Sequence, residues 1–182
     1  SSSASASVDA SSAVSGVSAE SDGTFFVCLT YDDVTPPGVV AALQERVAVG
    51  ADAVELRADL LASLDRAFVL HQLATLRRAL PHTPVIFTLR SAAQGGRFEG
   101  GEAEYCELLR LAMGAGVAYV DVEVSGGWSE AAVTALLLNR GACRIIGSVH
   151  YLGAAPPSDA ALRAAVRAAH CGGMADVAKV VC

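Results

Sequence analysis

The chain has 182 residues, of which 53% are hydrophobic, 5% aromatic and 18% charged, and its formal net charge is −6. This composition is typical of an α/β domain with a hydrophobic core. The negative charge argues against nucleic acid or an anionic membrane as a partner, since both bind basic surfaces, and no apolar stretch approaches the roughly 20 residues that cross a bilayer.

The first 23 residues are rich in serine and alanine and contain neither arginine nor lysine. We expect residues 1–23 to be a disordered tail or linker and residues 24–182 to form one domain. Five cysteines show no CxxC spacing, so neither a zinc site nor a disulfide framework is expected. Reduced thiols in a cytosol-like compartment are the default for such a pattern.

From residue 25 onward, short β-branched runs alternate with longer amphipathic runs, and Gly or Pro separates them. Strands are predicted at residues 25–30, 53–56, 85–89, 119–124, 144–149 and 175–181, and helices at 37–49, 65–79, 102–114, 129–139 and 158–170, with Ser129 and Ser158 as N-caps. Strands that alternate with helices predict a parallel sheet, either doubly wound or a (β/α)8 barrel. No glycine-rich fingerprint follows the first strand, which argues against a nucleotide-binding fold.

Polar and ionisable residues fall at the carboxyl ends of the predicted strands, where parallel α/β proteins place their sites. Glu55, Arg57 and Asp59 alternate along the second strand and its continuation, so an extended chain would direct all three to one side. The later strands end with Arg90, Asp121, Glu123, Ser148, His150 and Lys179. Structural alternatives are an ion pair between Glu55 and Arg57, and a role for Asp121 and Glu123 as arginine partners in the barrel interior, which we favour.

Lys179 is the only lysine of the chain and lies within an apolar, valine-rich run. Burial disfavours a charged ammonium, and the free amine that results can attack a carbonyl to form a Schiff base. The resulting imine withdraws electrons from the adjacent carbon, and a neutral histidine such as His150 can remove a proton there and return it to a leaving hydroxyl. These residues predict imine-assisted elimination of water.

The chain resembles the type I 3-dehydroquinate dehydratases of the shikimate pathway of aromatic amino-acid biosynthesis. The resemblance is carried by GADAVELRADLL from Gly50, PVIFTLRSAAQGGRFEGGEAEY from Pro84, GVAYVDVEV from Gly116, IIGSVH from Ile145 and ADVAKVV from Ala175. The opening FFVCLTYDDV and the QGGRF turn resemble the dehydratase domain of the large multifunctional shikimate-pathway protein more than the stand-alone bacterial enzyme.

The resemblance implies a (β/α)8 barrel in which Lys179 forms the imine and His150 is the general acid and base. It further implies that Glu55 and Arg57 contact substrate hydroxyls and help to orient the histidine, and that Arg90 binds substrate. Gln94, which stands where bacterial members have glutamate, is expected to support the site together with Asp121 and Glu123. No metal or organic cofactor is implied, the substrate is 3-dehydroquinate, and the products are 3-dehydroshikimate and water.

A complete barrel typically takes roughly 250 residues, so we expect about the first six β/α units here and a C-terminally truncated domain. One alternative is a non-catalytic fragment or interaction module of the same barrel, and another is a different Schiff-base lyase of the class I aldolase type. The expected partner is a small molecule rather than nucleic acid or membrane, in a homodimer or in a multidomain polypeptide. The expected location is the cytoplasm, with a plastid as the alternative.

Overall fold

The computed structural model describes residues 24–125, 127–153 and 155–182. Residues 1–23, for which a tail or linker was predicted, lie outside the described residues. The strands are β1 (Phe26–Leu29), β2 (Ala53–Arg57), β3 (Val85–Thr88), β4 (Tyr119–Glu123), β5 (Arg144–His150) and β6 (Val177–Val181). The helices are α1 (Pro37–Arg46), α2 (Arg66–Ala79), α3 (Glu102–Gly114), α4 (Glu130–Leu138) and α5 (Asp159–Ala169). The predicted order of elements is therefore confirmed.

Several boundaries differ from the predicted ones by a few residues. Helix α1 ends at Arg46 rather than at residue 49, and β6 begins at Val177 rather than at residue 175. Strands β2 and β5 each continue one residue further than predicted, to Arg57 and His150. These two side chains are consequently fixed by strand geometry rather than by loops. The side chains of Ser129 and Ser158 accept hydrogen bonds from backbone N–H groups of α4 and α5, which confirms both predicted N-caps.

The six strands form one parallel sheet in sequential order, and each strand pairs with the next along the chain. The sheet is strongly curled. Lys179 on β6 bonds Glu55 on β2, with 3.2 Å between Nζ and Oε1, and its Nζ lies 5.7 Å from the ring centroid of Phe26 on β1. In a flat sheet, four strand spacings would separate β6 from β2 by about 19 Å. The curl brings the inner-face side chains together, as expected for β/α units of a barrel.

Side-chain alternation separates an apolar outer face of the sheet from a polar inner face. Val54 and Leu56 on β2 are fully buried against the helices, whereas Glu55 between them points inward to Lys179. The same alternation on β4 buries Val120 and Val122 in the core that the helices cover. Because the core lies between sheet and helices, the inner face can hold polar groups. No helix in the described part of the chain has the length and apolar character needed to span a membrane.

Gly147 allows α5 to pack closely on β5. A Cβ atom at this position would collide with the backbone carbonyl of Ala169, the last residue of α5. Gly147 directly precedes Ser148, whose side chain faces the inner side of the sheet. The close contact therefore helps to fix the strand that carries Ser148 and His150.

We expect Gly147→Ala to lower the free energy of unfolding by about 1–3 kcal/mol, because a backbone carbonyl cannot move aside as a flexible side chain can. Gly114→Ala is the matched control, since nothing lies within 4 Å of the position that its Cβ would occupy. That control should leave the stability unchanged or raise it by at most about 1 kcal/mol. Urea unfolding measures both values, and equal effects of the two substitutions would contradict the close packing.

Candidate active site

Lys179 projects from β6 onto the inner face of the sheet, where two carboxylates bind its ammonium group. Its Nζ atom lies 3.2 Å from Oε1 of Glu55 and 3.1 Å from Oδ2 of Asp121. The lysine side chain is 22% exposed, whereas those of Glu55 and Asp121 are 6% and 1% exposed. An ammonium group has three donors. Two of them are directed to these carboxylates, and the partial exposure of the side chain leaves the lysine within reach of a small molecule.

Arg90 forms a buried ion-pair network beneath this lysine. Its NH2 atom lies 2.7 Å from Oδ2 of Asp121, and its NH1 atom lies 3.1 Å from Oε1 of Glu123 and 3.0 Å from Oγ of Ser148. Burial would raise the pKa of Asp121, but the charges of Arg90 and Lys179 outweigh it and hold that pKa below its ordinary value. The ion pairs therefore stabilise the fold at neutral pH, and this stabilisation is lost as the pH falls through the lowered pKa.

The network gives the ion-pair partners of three residues that were candidates from the sequence. Asp121 and Glu123 are partners of a buried arginine, the structural role that the sequence favoured. Arg90, expected to bind substrate, directs both terminal nitrogens of its guanidinium group to protein groups, and its side chain is only 4% exposed. The contacts of Arg90 therefore hold the carboxylate of Asp121 in place beside Lys179.

His150 lies at the end of β5, on the same inner face as Lys179. Ser148 pairs in register with Lys179, and His150 follows Ser148 by two residues, so strand alternation directs both β5 side chains inward. Burial, together with the positive charges of Arg90 and Lys179, lowers the pKa of His150 to about 4, against the opposing effect of Asp121 and Glu55. The imidazole is therefore neutral near pH 7 and can accept a proton.

Gln94 fixes the orientation of this imidazole. Nδ1 of His150 lies 2.8 Å from Oε1 of Gln94, and Nε2 of Gln94 donates to Oγ of Ser125 at 2.9 Å. With the amide oxygen as acceptor, the neutral ring carries its proton on Nδ1, which leaves the lone pair on Nε2. The resemblance implied that Glu55 and Arg57 orient the histidine. In the structure this contact is made by Gln94 instead.

Arg57 binds Asp59 rather than Glu55, which corrects two expectations. Strand β2 ends at Arg57, and a 3-10 turn over Ala58–Leu60 folds Asp59 back onto the arginine. Nε and NH2 of Arg57 then donate to the two oxygens of Asp59 at 2.8 and 2.7 Å. The predicted line of three side chains along an extended chain is wrong, because the turn interrupts the alternation. The suggested ion pair between Glu55 and Arg57 is also not formed.

Sequence reasoning missed several supporting side chains. Thr88 donates its hydroxyl to Oε1 of Glu55 at 2.7 Å, and Cys28 pairs in register with Glu55 on the neighbouring strand. Desolvation and the charge of Glu55 raise the pKa of the Cys28 thiol to about 11, so it remains protonated. Period-two alternation along β1 and β3 could have identified both residues. Ser125 follows a strand with no pattern of its own, and nothing in the sequence pointed to it.

No group of three or more His, Cys, Asp or Glu side chains among the described residues is arranged to hold a metal ion. The side chains of the site supply a partly exposed amine, a neutral imidazole with a fixed tautomer, and carboxylates beside the amine. This set suits covalent capture of a carbonyl compound, followed by proton transfer at the adjacent carbon.

Comparisons with known proteins place the chain among related sequences and folds. A family model described as type I 3-dehydroquinase matches residues 25–182. The pentafunctional AROM polypeptide of Komagataella phaffii is 44% identical over 126 residues, which cover 69% of this chain and 8% of that polypeptide. A solved structure of dehydroquinate dehydratase and shikimate dehydrogenase from S. pombe AroM matches with a TM-score of 0.72 at 31% identity, over 86% of this chain and 30% of that one.

The 3-dehydroquinate dehydratase from Geobacillus kaustophilus HTA426 matches with a TM-score of 0.74 at 28% identity and covers 86% of this chain. The match covers 60% of that bacterial enzyme. The chain thus spans less than two thirds of the length of these relatives. Within the matched part, the fold agrees with that of the solved dehydratases.

We expect Gln94→Glu to raise the pKa of His150 from about 4 to a value about 1–3 higher, because a carboxylate beside Nδ1 stabilises the imidazolium ion. On acidification, an activity that needs the neutral ring would therefore be lost at a higher pH in this variant than in the unaltered protein. NMR titration of the His150 ring measures the change. Gln44→Glu is the matched control, since Gln44 is exposed on α1. A His150 titration that is the same in both variants would contradict the contact between Gln94 and His150.

Proposed function

This chain belongs to the type I 3-dehydroquinase family, and we propose that it removes water from 3-dehydroquinate through an imine on Lys179 to give 3-dehydroshikimate. The observation that carries the proposal is the position of Lys179. Its amine lies between Glu55 and Asp121 on the inner face of the sheet, with the neutral imidazole of His150 on the adjacent strand.

Imine formation requires the ammonium of Lys179 to lose a proton before it attacks the substrate carbonyl. Glu55 is the better acceptor, because its one cationic contact among the described residues is Lys179 itself, at 3.2 Å. Asp121 is held as a carboxylate by Arg90. The amine then adds to the carbonyl carbon. The carbonyl oxygen takes up the proton held by Glu55 and a second proton from the nitrogen, and it leaves as water. The protonated imine nitrogen keeps a positive charge, which Asp121 continues to stabilise.

The second stage is proton transfer by His150. Its Nε2 atom takes a proton from the carbon next to the imine, whose positive nitrogen accepts the electron pair. The hydroxyl group on the following carbon then leaves, and His150 gives it the proton, so that water departs and a carbon–carbon double bond forms. A second water hydrolyses the imine and restores Lys179. The contact with Gln94 holds the ring proton on Nδ1, so Nε2 has no proton before the first transfer.

Substrate binding is assigned to Arg57 and Glu55, with a supporting role for Arg90. Arg57 is 21% exposed on its side chain and is held in a fixed orientation by Asp59, so its remaining donors can bind substrate oxygens. Arg90 has little exposed surface, and we assign it mainly to the orientation of Asp121 and Glu123. Substrate contact by Arg90 remains a prediction.

We propose that the domain acts as part of a multidomain polypeptide, as the name of the AROM relatives suggests, with a homodimer as the alternative arrangement. We place it in the cytoplasm, with a plastid as the alternative. The support is that all five cysteines are free thiols in the described structure, which suits a reducing compartment.

A second candidate function is a non-catalytic interaction module of the same barrel. Among the described residues β1 and β6 each pair on one side only, and Phe26, Val177 and Val181 on these two strands are 45%, 43% and 41% exposed. Unpaired edges with apolar side chains favour the addition of further strands. Sedimentation and activity measurements separate the candidates. Self-association without turnover supports the module, whereas an active, cooperatively folded monomer contradicts it.

Borohydride reduction in the presence of 3-dehydroquinate should attach the substrate to Lys179, because reduction converts the imine into a stable amine. Peptide mass spectrometry locates the adduct without ambiguity, since the chain has no other lysine. Lys179→Ala should abolish both adduct and turnover. His150→Ala should keep the adduct and lower turnover by roughly 100- to 10,000-fold.

His82→Ala is the matched control, because His82 is an exposed residue outside the helices and strands, and it should change neither measurement. Absence of an adduct in the unaltered protein, or full turnover by Lys179→Ala, would sink the proposed mechanism. An adduct that forms equally well with unrelated aldehydes or ketones, with no elimination of water from 3-dehydroquinate, would instead indicate a class I aldolase-like lyase.

A further inference from the structure

Asp59 is a fully buried carboxylate that the proposed reaction does not use directly. Its two oxygens accept four hydrogen bonds, two from the side chain of Arg57 and two from the backbone N–H groups of Arg90 and Arg97, at 3.3 and 3.1 Å. Its side chain has no exposed surface. A buried carboxylate with this set of donors is costly to disturb, because each lost donor leaves an unsatisfied charge.

The two backbone donors are the ends of the loop that carries Gln94. The loop closes on itself through hydrogen bonds from the N–H of Phe98 to the carbonyl of Arg90 and from the N–H of Ala92 to the carbonyl of Phe98, at 3.1 and 2.9 Å. It is tight, since a Cβ atom at Gly96 would collide with the carbonyl of Arg90. Asp59 therefore binds both ends of a compact loop whose central residue holds His150.

A second buried carboxylate, Glu123, anchors the same loop from the other side. It accepts hydrogen bonds from the backbone N–H and the hydroxyl of Ser91, at 2.9 and 2.7 Å, and from the indole of Trp128 at 3.2 Å. Glu123 has no hydrogen bond to Arg57 among the described residues. Among the hydrogen bonds of the described residues, those of Asp59 join the arginine assigned to substrate to the loop assigned to the histidine.

We propose that Asp59 is a positioning residue that couples the orientation of Arg57 to that of His150 through the loop of residues 90–98. The role of this coupling in catalysis rests on the proposed function. The coupling itself can be measured without any turnover. Movement of the guanidinium group changes the charge that balances Asp59, and this alters the two backbone hydrogen bonds that fix the loop. The loop in turn sets the position of Gln94 and, through it, the proton on Nδ1 of His150.

The test compares the ring tautomer of His150, read from its 15N chemical shifts, in the unaltered protein and in Asp59→Asn. The loss of one acceptor oxygen and of the charge should release the loop, so the ring should shift from the Nδ1–H towards the Nε2–H form that imidazole prefers in water. Gln94→Ala, which removes the contact directly, should give the same shift. Asp65→Asn, the same substitution at an exposed carboxylate before α2, should give none.

Arg57→Met tests directly whether a change at Arg57 reaches His150. It can also be measured if Asp59→Asn fails to fold. The substitution deletes none of the groups that form the hydrogen bonds of the loop, but it removes the cation that balances Asp59. The two backbone hydrogen bonds to Asp59 should change as a result, and the tautomer should move in the same direction. Turnover number should fall by roughly 10- to 100-fold in Asp59→Asn, the cost of misplacing a catalytic group. An unchanged tautomer in Arg57→Met, while Gln94→Ala shifts it, overturns the coupling even if stability falls. A missing borohydride adduct would refute the proposed function without affecting the tautomer result.

Discussion

The ion pairs of Arg90 with Asp121 and Glu123 are the interaction on which the rest of the site depends. All three side chains are almost completely buried, so each carboxylate needs a cation to offset its lost hydration. Removal of one member of such a group typically costs about 3–5 kcal/mol, because the remaining charge stays buried without a partner. With Arg90 in place, Asp121 can remain ionised beside Lys179, and Glu123 can hold the start of the loop that carries Gln94. The charges around Lys179 and those that hold the loop therefore belong to one connected network.

The inner face of the sheet is organised as pairs of opposite charge. Arg57 partners Asp59, Arg90 partners Asp121 and Glu123, and Lys179 partners Glu55 as well as Asp121. In the proposed reaction the protonated imine has at Nζ the same positive charge as the ammonium group, so these carboxylates face a cation before and after the covalent bond forms. His150 differs because its direct partner is the neutral amide of Gln94. Burial and the positive charges of Arg90 and Lys179 lower the pKa of His150 and keep the ring neutral, and the contact with Gln94 leaves Nε2 without a proton.

Most of the fold and the central residues could be predicted from the sequence. Alternation of β-branched and amphipathic runs gave the elements in the right order, and the solitary lysine and His150 both lie on the inner face, on neighbouring strands. The partner of each charge could not be predicted, because partners depend on how strands end. The 3-10 turn after Arg57 brings Asp59 back to the arginine, and the tight loop after β3 brings Gln94 to a histidine 56 positions away in the sequence. Neither turn has a sequence pattern from which its geometry could be predicted.

In the proposed reaction the amine of Lys179, between Glu55 and Asp121, is the group that reacts. The most direct test is the crystal structure of the protein after borohydride reduction with 3-dehydroquinate. We expect continuous electron density from Nζ of Lys179 to the former carbonyl carbon, with Asp121 still in contact with that nitrogen and Nε2 of His150 facing the adjacent carbon. Ligand density that is separate from Lys179, or that lies away from the inner face of the sheet, would contradict it.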